Sequence, residues 1–348
     1  MTFRPLSGEQ TRRLIDSEQR FEAYLGFIGR LDASFRGSMS WKSVKGHEYL
    51  YRKTDRIWKS LGPRNQANEQ TFDQFHAGRT TLRQQIESIR REIDGAARVD
   101  RAMGLGRLPK AIANILRRLD RKHLLGNAIS VVGTNALFAY ERLAGGHFAP
   151  SMLATMDIDL LFDSRDRLGL VARDVRDGGL AQLLQSVDPS FTISHEGSFR
   201  AINRSGLMVD LIEPMPNMPS ATRSRRQIGA SKVDLVAAEI KGLQWLQNVP
   251  HVSVIVLDES GIPLRMSVPD PRAFALHKYW VSRRSDRDPM KARRDEQQAH
   301  AVAGLIIDYL PTFDFADEHQ LSAFPKALRD TAAQLLADHQ PPAATDWE

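Results

Sequence analysis

The sequence of 348 residues predicts an α+β fold. Apolar residues spaced three or four positions apart indicate amphipathic helices towards both ends of the chain, whereas short apolar runs bounded by turn residues indicate strands in its middle. These runs lie at residues 129 to 132, 156 to 161 and 207 to 212. We therefore expect three regions: a mainly helical region at residues 1 to 126, a sheet-containing core at residues 127 to 268, and C-terminal helices at residues 269 to 348.

The first region is expected to contain an amphipathic helix at residues 9 to 32, a small β-meander within residues 35 to 64, and a long polar helix at residues 67 to 101. A further helix is predicted from Lys110. The region therefore ends either within residues 103 to 109 or at Gly126.

The meander alternates aromatic and basic side chains, which is the composition needed to stack on bases and to neutralise phosphates. The alternative is a small sheet whose aromatic side chains pack against the neighbouring helices. The candidate nucleic-acid-binding residues are Trp41, Lys42, Lys45, Tyr49, Tyr51, Arg52, Lys53, Trp58, Lys59 and Arg64.

Charge is distributed unevenly along the chain. Residues 1 to 126 contain 25 Lys and Arg against 14 Asp and Glu, a net charge of +11, and the remaining 23 against 28 give a net charge of −5 for residues 127 to 348. A basic region joined to an acidic one suggests that the first holds a polyanion on which the second acts. The alternative is an Arg-rich helical surface that is merely solvated.

Composition excludes several classes of protein. The chain has no Cys, so disulfides, thiolate chemistry and Cys-based zinc sites are excluded. No apolar run approaches the roughly 18 residues of a membrane span, and the first residues lack the apolar core of a signal peptide. We expect a cytoplasmic protein without a membrane segment.

Two acids, Asp157 and Asp159, lie in the otherwise apolar strand at residues 156 to 161. Side chains alternate along a strand, so both carboxylates project from one face and repel each other unless a cation neutralises them. Oxygen ligands alone suit Mg²⁺ or Mn²⁺ better than Zn²⁺. The alternative is a strand end at which both acids are solvated.

A turn and a third acid flank this strand in the sequence. The strand at residues 129 to 132 stops at Gly133 and Thr134, and a helical pattern follows, so the free N–H groups and the positive end of a helix are available to a phosphate. Asp210 is centred in the apolar strand at residues 207 to 212, where a lone acid needs a partner. Beyond it, a helix is predicted from about Lys232 to Leu246.

Together these parts resemble the nucleotidyltransferase superfamily that includes DNA polymerase beta, CCA-adding enzymes and bacterial toxin nucleotidyltransferases. The similarity covers residues 127 to 300 and is closest to the bacterial toxin-type and uncharacterised members. It implies a core of mixed β-sheet flanked by helices. Two departures are Thr134, where the family usually has Ser, and Asn135, where a second small residue is common. No acceptor-site motif is visible.

The resemblance also implies roles for individual residues. Asp157 and Asp159 would hold Mg²⁺ (or Mn²⁺) ions that bridge a triphosphate, and Asp210 the ion that activates an acceptor hydroxyl. The residues implied in nucleotide and phosphate binding are Gly133, Thr134, Asn135, Lys278, Arg283 and Arg284, with Lys278 foremost at the departing pyrophosphate.

The function expected from this resemblance is metal-dependent transfer of a nucleoside monophosphate from an NTP, such as ATP, to a hydroxyl group, with release of pyrophosphate. RNA, such as a tRNA-like end, is the acceptor that the basic first region favours. The same chemistry on a protein or small-molecule hydroxyl, a metal-dependent nuclease, and a non-catalytic nucleic-acid-binding regulator on the same scaffold are alternatives. A protein partner of the toxin-antitoxin type is also considered.

Overall fold

The structure is a computed structural model that describes residues 3–54, 57–163, 165, 173–216, 227–315 and 321–337. Within these residues the strands are β1 (Phe3–Pro5), β2 (Ser38–Val44), β3 (His47–Thr54), β4 (Ile57–Pro63), β5 (Ile129–Val132), β6 (Gly146–Phe148), β7 (Asp157–Phe162), β8 (Thr192–Ile193), β9 (Arg200–Ile202), β10 (Met208–Pro214), β11 (Ala238–Ile240), β12 (His251–Leu257) and β13 (Pro263–Pro269). The helices are α1 (Gly8–Phe35), α2 (Gln66–Ala102), α3 (Lys110–Arg121), α4 (Leu137–Ala144), α5 (Pro150–Leu153), α6 (Arg173–Val187), α7 (Leu243–Gln247), α8 (Pro271–Ser282), α9 (Pro289–Tyr309), α10 (Lys326–Asp330) and α11 (Ala332–Ala337).

The chain divides into two compact units. The large unit comprises Met1–Thr11, Gly106–Glu259 and Leu264–Glu348, and the small unit comprises Arg12–Leu105 and Ser260–Pro263. The boundaries between the units therefore fall between Thr11 and Arg12, between Leu105 and Gly106, and on either side of Ser260–Pro263. Helix α3 belongs to the large unit because Ile112, Ile115 and Leu116 on its apolar face join the large hydrophobic core.

The small unit contains the predicted meander, in which β2, β3 and β4 pair in order and antiparallel. The turn between β2 and β3 places both Lys45 and Gly46 at positive φ, the geometry that matches the twist of a tight hairpin. Met39 and Leu50 on one face of the meander pack with Phe75 of α2 to form a separate small core.

The large unit is built on a mixed sheet. Its strands follow the order β5, β7, β10, β9, β8, and β11 pairs with the end of β10. Strands β7, β10 and β11 run parallel, whereas β5 and β9 lie antiparallel to their neighbours. Ile158 and Leu160 on one face of β7 are fully buried in the core. The predicted α+β fold class and its mixed core sheet are confirmed.

Helices α8 and α9 pack against each other, and their start points are set by local sequence. Asp270 and Asp288 each accept a hydrogen bond from a backbone N–H of the following helix, and Pro271 and Pro289 occupy the first helical turns. These aspartate caps and prolines therefore fix the first residue of each helix.

One sequence prediction is wrong. The helix expected from about Lys232 to Leu246 is replaced by β11 and the short helix α7, because Gly242 adopts a φ of +93° and breaks the chain direction between them. No helix within the described residues is long and apolar enough to cross a membrane.

Candidate active site

The three sequence-predicted acids lie on neighbouring strands. Strands β7 and β10 are parallel, with Asp159 directly beside Asp210 and Asp157 beside Met208. Because Asp157 and Asp159 are two residues apart, their side chains share a face of the sheet, and Asp210 projects from the same face as its register partner. The pairing of β7 with β10 thus assembles the acids on one surface.

The turn after β5 is fitted closely to this acidic surface. Val132, the last residue of β5, is the register partner of Asp159, so Gly133 directly follows beside it. Gly133 has a φ of +65°, and a Cβ atom there would lie 2.1 Å from Asp159 Oδ2. Residue 133 must therefore be Gly both for its backbone conformation and for the space that the carboxylate occupies.

The other residues of the turn are held by side-chain hydrogen bonds. Asn135 is 1% exposed, and its Nδ2 donates to the Asp157 carbonyl oxygen at 2.7 Å, which ties the turn to the start of β7. Thr134 Oγ1 accepts a hydrogen bond from Gln298 Nε2 at 3.2 Å. The Asn135 side chain is thus hydrogen-bonded to the backbone, whereas Thr134 is a half-buried residue of the turn.

Burial and the neighbouring acids alter the protonation of Asp159. Burial, with the neighbouring Asp157, raises the pKa of Asp159 to about 7, and Asp210 adds to this effect, whereas Lys278 and Arg200 oppose it. A bound cation would stabilise the ionised form of a carboxyl group whose pKa is raised in this way. The acidic surface therefore favours the binding of a cation.

Arg200 on β9 already supplies one positive charge. It is the register partner of Asp210, and its Nε and Nη2 atoms donate to Asp210 Oδ1 and Oδ2 at 2.7 and 2.6 Å. The Asp210 carboxylate is 8% exposed and the Arg200 side chain 42% exposed. This two-point ion pair raises the pKa of Arg200 and occupies both oxygens of Asp210.

The acids match a divalent cation by chemistry, although they do not enclose one in this conformation. Among the residues that the structure describes, no three acidic or histidine side chains converge as ligands. The reason is that Asp210 faces Arg200, while Asp157 Oδ1 accepts a hydrogen bond from the Thr155 hydroxyl. A set of carboxylate oxygens on one face, with the pKa of Asp159 raised by its neighbours, fits Mg²⁺ or Mn²⁺.

A pocket of about 290 Å³ opens beside Asp159 and Gly133. The lining contains four cations, two acids and otherwise mainly apolar residues. The cations are Lys241, Lys278, Arg284 and Arg287, and the acids are Asp159 and Asp286. Of the sequence-predicted phosphate-binding cations, Lys278 and Arg284 therefore line the pocket. Arg283 is absent from its lining: it lies over the Tyr279 ring at 3.4 Å and pairs with Glu296.

Comparison with known proteins agrees with this arrangement. A family model described as nucleotidyltransferase matches residues 110–323, which is more than half of the chain. The chain belongs to this nucleotidyltransferase family. The acids, the turn and the pocket all lie within the matched segment of the nucleotidyltransferase. Searches of curated proteins and of solved structures gave no match.

Several residues at the candidate site were not predicted from the sequence. Arg200, Arg287, Asp295 and Gln298 contact the acids, the cations or the turn, but none has a local signature. A signal for Arg200 exists, because a hairpin turn at residues 203 to 207 pairs Ile202 with Met208 and therefore Arg200 with Asp210. The other three depend on how α8 and α9 pack.

In the small unit, strand pairing divides the predicted nucleic-acid-binding residues between two faces of the meander. Trp41 and Arg52 lie on the face with Leu50; Trp41 packs against Phe72, and Arg52 donates to the Ser34 carbonyl oxygen. Among the other candidates, Tyr49 is half-buried, Lys45 and Lys59 are exposed, and Arg64 pairs with Glu48 and Glu69.

The opposite face, which we call the outer face, carries Lys42, Tyr51, Lys53 and Trp58. Lys42 Nζ lies 3.3 Å and Lys53 Nζ 5.2 Å from the centre of the Trp58 ring, and Trp58 is 41% exposed. Trp58 therefore presents an aromatic ring flanked by two lysines to solvent, whereas Trp41 belongs to the packing of the unit.

Proposed function

We propose that this nucleotidyltransferase moves a nucleoside monophosphate from an NTP to a hydroxyl acceptor in a metal-dependent reaction that releases pyrophosphate. The observation that carries the proposal is the shared position of Asp159. It belongs to the acidic surface, it abuts the Gly133 turn, and it lines the pocket that Lys278 and Arg284 make basic.

Each part has a role in such a reaction. Asp157, Asp159 and Asp210 would hold Mg²⁺ or Mn²⁺, which when bound neutralises charge on the triphosphate and polarises the reacting oxygens. Gly133 lets a phosphate approach the backbone, and the Thr134 hydroxyl donates to it. Lys278, together with Arg284 and Arg287, neutralises the charge that develops on the departing pyrophosphate.

The ion pair of Arg200 with Asp210 affects the proposed activation of the acceptor hydroxyl, in which Asp210 takes part. Asp210 is the acid that we place at the acceptor hydroxyl, and both of its carboxylate oxygens accept hydrogen bonds from Arg200. For Asp210 to bind a cation, Arg200 must release at least one of its oxygens. The released guanidinium would then be available to a phosphate, since Arg favours two-point contact with such groups.

RNA, in particular a tRNA-like end, is the acceptor that we favour. The supporting features are the net charge of +11 over residues 1 to 126 and the exposed Trp58 flanked by Lys42 and Lys53. Base stacking on the ring and phosphate contacts with the lysines suit a single strand. Transfer to a protein hydroxyl, as expected for a toxin-antitoxin partner, is the second candidate, because the same acids and turn serve any hydroxyl.

The test is incubation with α-labelled NTPs, Mg²⁺, total RNA and a protein extract, comparing wild type with Asp157→Asn and Asp159→Asn. We expect label in RNA with the wild type and a loss of at least about a thousandfold with either variant. Label in protein or in a small molecule would replace RNA as acceptor while keeping the chemistry. If the wild type binds RNA but transfers label to no acceptor, the protein is a non-catalytic regulator and not an enzyme. Cleavage of the RNA would indicate a nuclease.

A further inference from the structure

Two polar side chains on the buried face of α9 need explanation. Asp295 and Gln298 lie about one helical turn apart, and they are 2% and 0% exposed. Burying a carboxylate and an amide costs free energy unless each finds partners. Asp295 is bonded to cations of the pocket, and Gln298 is bonded to the turn beside the pocket and to a backbone carbonyl oxygen of α5.

Asp295 binds two cations of the pocket. Its Oδ1 accepts from Lys278 Nζ at 2.6 Å, and its Oδ2 accepts from Arg287 Nε and Nη2 at 2.8 and 2.6 Å. One carboxylate shared between two cations leaves an excess positive charge. Within the described part of the chain, Asp295 takes one of the three N–H groups of the Lys278 ammonium, and the other two can donate to a ligand.

Gln298 fixes the direction of a hydroxyl group. Its Nε2 donates to the Met152 carbonyl oxygen at 2.9 Å and to Thr134 Oγ1 at 3.2 Å. A carbonyl oxygen can only accept, which places the Gln298 NH₂ group on this side. Thr134 Oγ1 is then an acceptor towards Gln298, and its own hydrogen is free to donate elsewhere.

We infer that Asp295 and Gln298 are positioning residues that preset Lys278, Arg287 and the Thr134 hydroxyl to bind the polyphosphate tail of a nucleoside triphosphate. The inference rests on the proposed function and adds to it that recognition of the tail is built into α9, with Arg287 as a further phosphate-binding cation. Groups held in the binding geometry before the ligand arrives lose less conformational freedom on binding, so affinity depends on the buried partners.

Titration calorimetry with inorganic tripolyphosphate and with inorganic phosphate, in buffer containing a chelator, tests the inference without catalysis. Wild type should bind tripolyphosphate much more tightly than phosphate. Asp295→Asn should weaken tripolyphosphate binding by about tenfold or more and Gln298→Met by several fold, which reduces the preference for the longer chain. Matched controls are Glu296→Gln and Gln297→Met, the neighbouring changes on the half-buried and exposed positions of the same helix.

A purely structural role for Asp295 would lower the melting temperature without changing this preference. Lys278→Met combined with Asp295→Asn should be non-additive, because both act through one contact, and Asp295→Glu should restore part of the affinity. If Asp295→Asn does not fold, Arg287→Gln tests the same contact from a side chain that is 33% exposed.

The outcomes separate the inference from the proposed function. Tripolyphosphate binding that is equal in wild type, Asp295→Asn and Gln298→Met would overturn the inference and leave nucleotidyl transfer standing. Wild type that binds neither tripolyphosphate nor any NTP, even with Mg²⁺, would overturn both.

Discussion

Gly133 leaves no room for a Cβ atom beside Asp159, since such an atom would lie 2.1 Å from Asp159 Oδ2. The turn that would receive the phosphate and the acid that would hold the metal are therefore in direct contact. The Gly133 turn and the Asp159 strand, which the sequence predicts as separate features, therefore form one structural unit. A side chain at residue 133 would displace the Asp159 carboxylate.

Gly133→Ala tests this contact. Gly145 is a matched control, because it has a φ of +62° against +65° for Gly133, but a Cβ atom on Gly145 would meet nothing within 4 Å. Gly145→Ala should cost about 1 to 2 kcal/mol of unfolding free energy, the expected strain of a left-handed residue. Gly133→Ala should cost more and reduce transfer by about a hundredfold or more, because the carboxylate must move. Denaturant unfolding and initial rates measure both, and equal effects of the two changes would contradict the contact.

Arg200→Gln should strengthen the binding of a divalent cation. It removes a positive charge that occupies Asp210, so we expect about tenfold tighter Mn²⁺ binding in calorimetry. Arg204→Gln, which removes the same charge from an exposed position near the hairpin turn, should change the affinity little. Mn²⁺ binding by Arg200→Gln that is no tighter than binding by Arg204→Gln would contradict competition between Arg200 and a cation for Asp210.

Lys42→Gln combined with Lys53→Gln should weaken RNA binding and its salt dependence. Loss of two phosphate contacts should reduce the slope of log affinity against log salt concentration by about 1.4 for a single strand. Arg83→Gln with Arg90→Gln removes two charges from exposed positions on α2 of the same unit and serves as control. Identical slopes for the two double variants would show that the outer face makes no specific contribution to RNA binding.

Acid should destabilise the protein through His147. Burial, with Arg107 and Arg4 nearby, lowers the pKa of His147 from 6.5 to about 4. Between these values the unfolded chain binds the proton and the folded chain does not, so this contribution to stability is present above pH 6.5 and is lost as the pH falls towards 4. The loss stays below about 3 kcal/mol, because solvent screens the half-exposed imidazole. Denaturant unfolding at pH 7 and pH 4.5 should show a smaller difference for His147→Gln than for the exposed His195→Gln; equal differences would contradict the assignment.

Much of the fold follows from local patterns. Residues 129 to 132 form β5 as predicted, and the meander, the long helix α2 and the apolar face of α3 also follow from periodicity and turn residues. The helix predicted before Leu246 is wrong because a few apolar residues in a short stretch are compatible with a helix and with a strand equally. Only the conformation of Gly242 decides between them.

The acids and the turn of the candidate site were predictable because each lies in a short motif. Arg200 was missed, although the hairpin turn between β9 and β10 sets the register that pairs it with Asp210. Asp295 and Gln298 depend on the packing of α9, and their sequence surroundings look like an ordinary polar helix. Long-range pairing, which a single sequence does not encode locally, therefore supplied the missing half of the site.

The identity of the transferred group tests the central proposal most directly. The wild-type protein should be incubated with Mg²⁺, total RNA and NTPs labelled at either the α or the γ phosphate, and the acceptor and the small products analysed together. Nucleotidyl transfer predicts α label in the acceptor, γ label only in pyrophosphate, one pyrophosphate per nucleotide transferred, and neither product with Asp159→Asn. Transfer of the γ label to the acceptor, or release of free γ phosphate without α transfer, would contradict it.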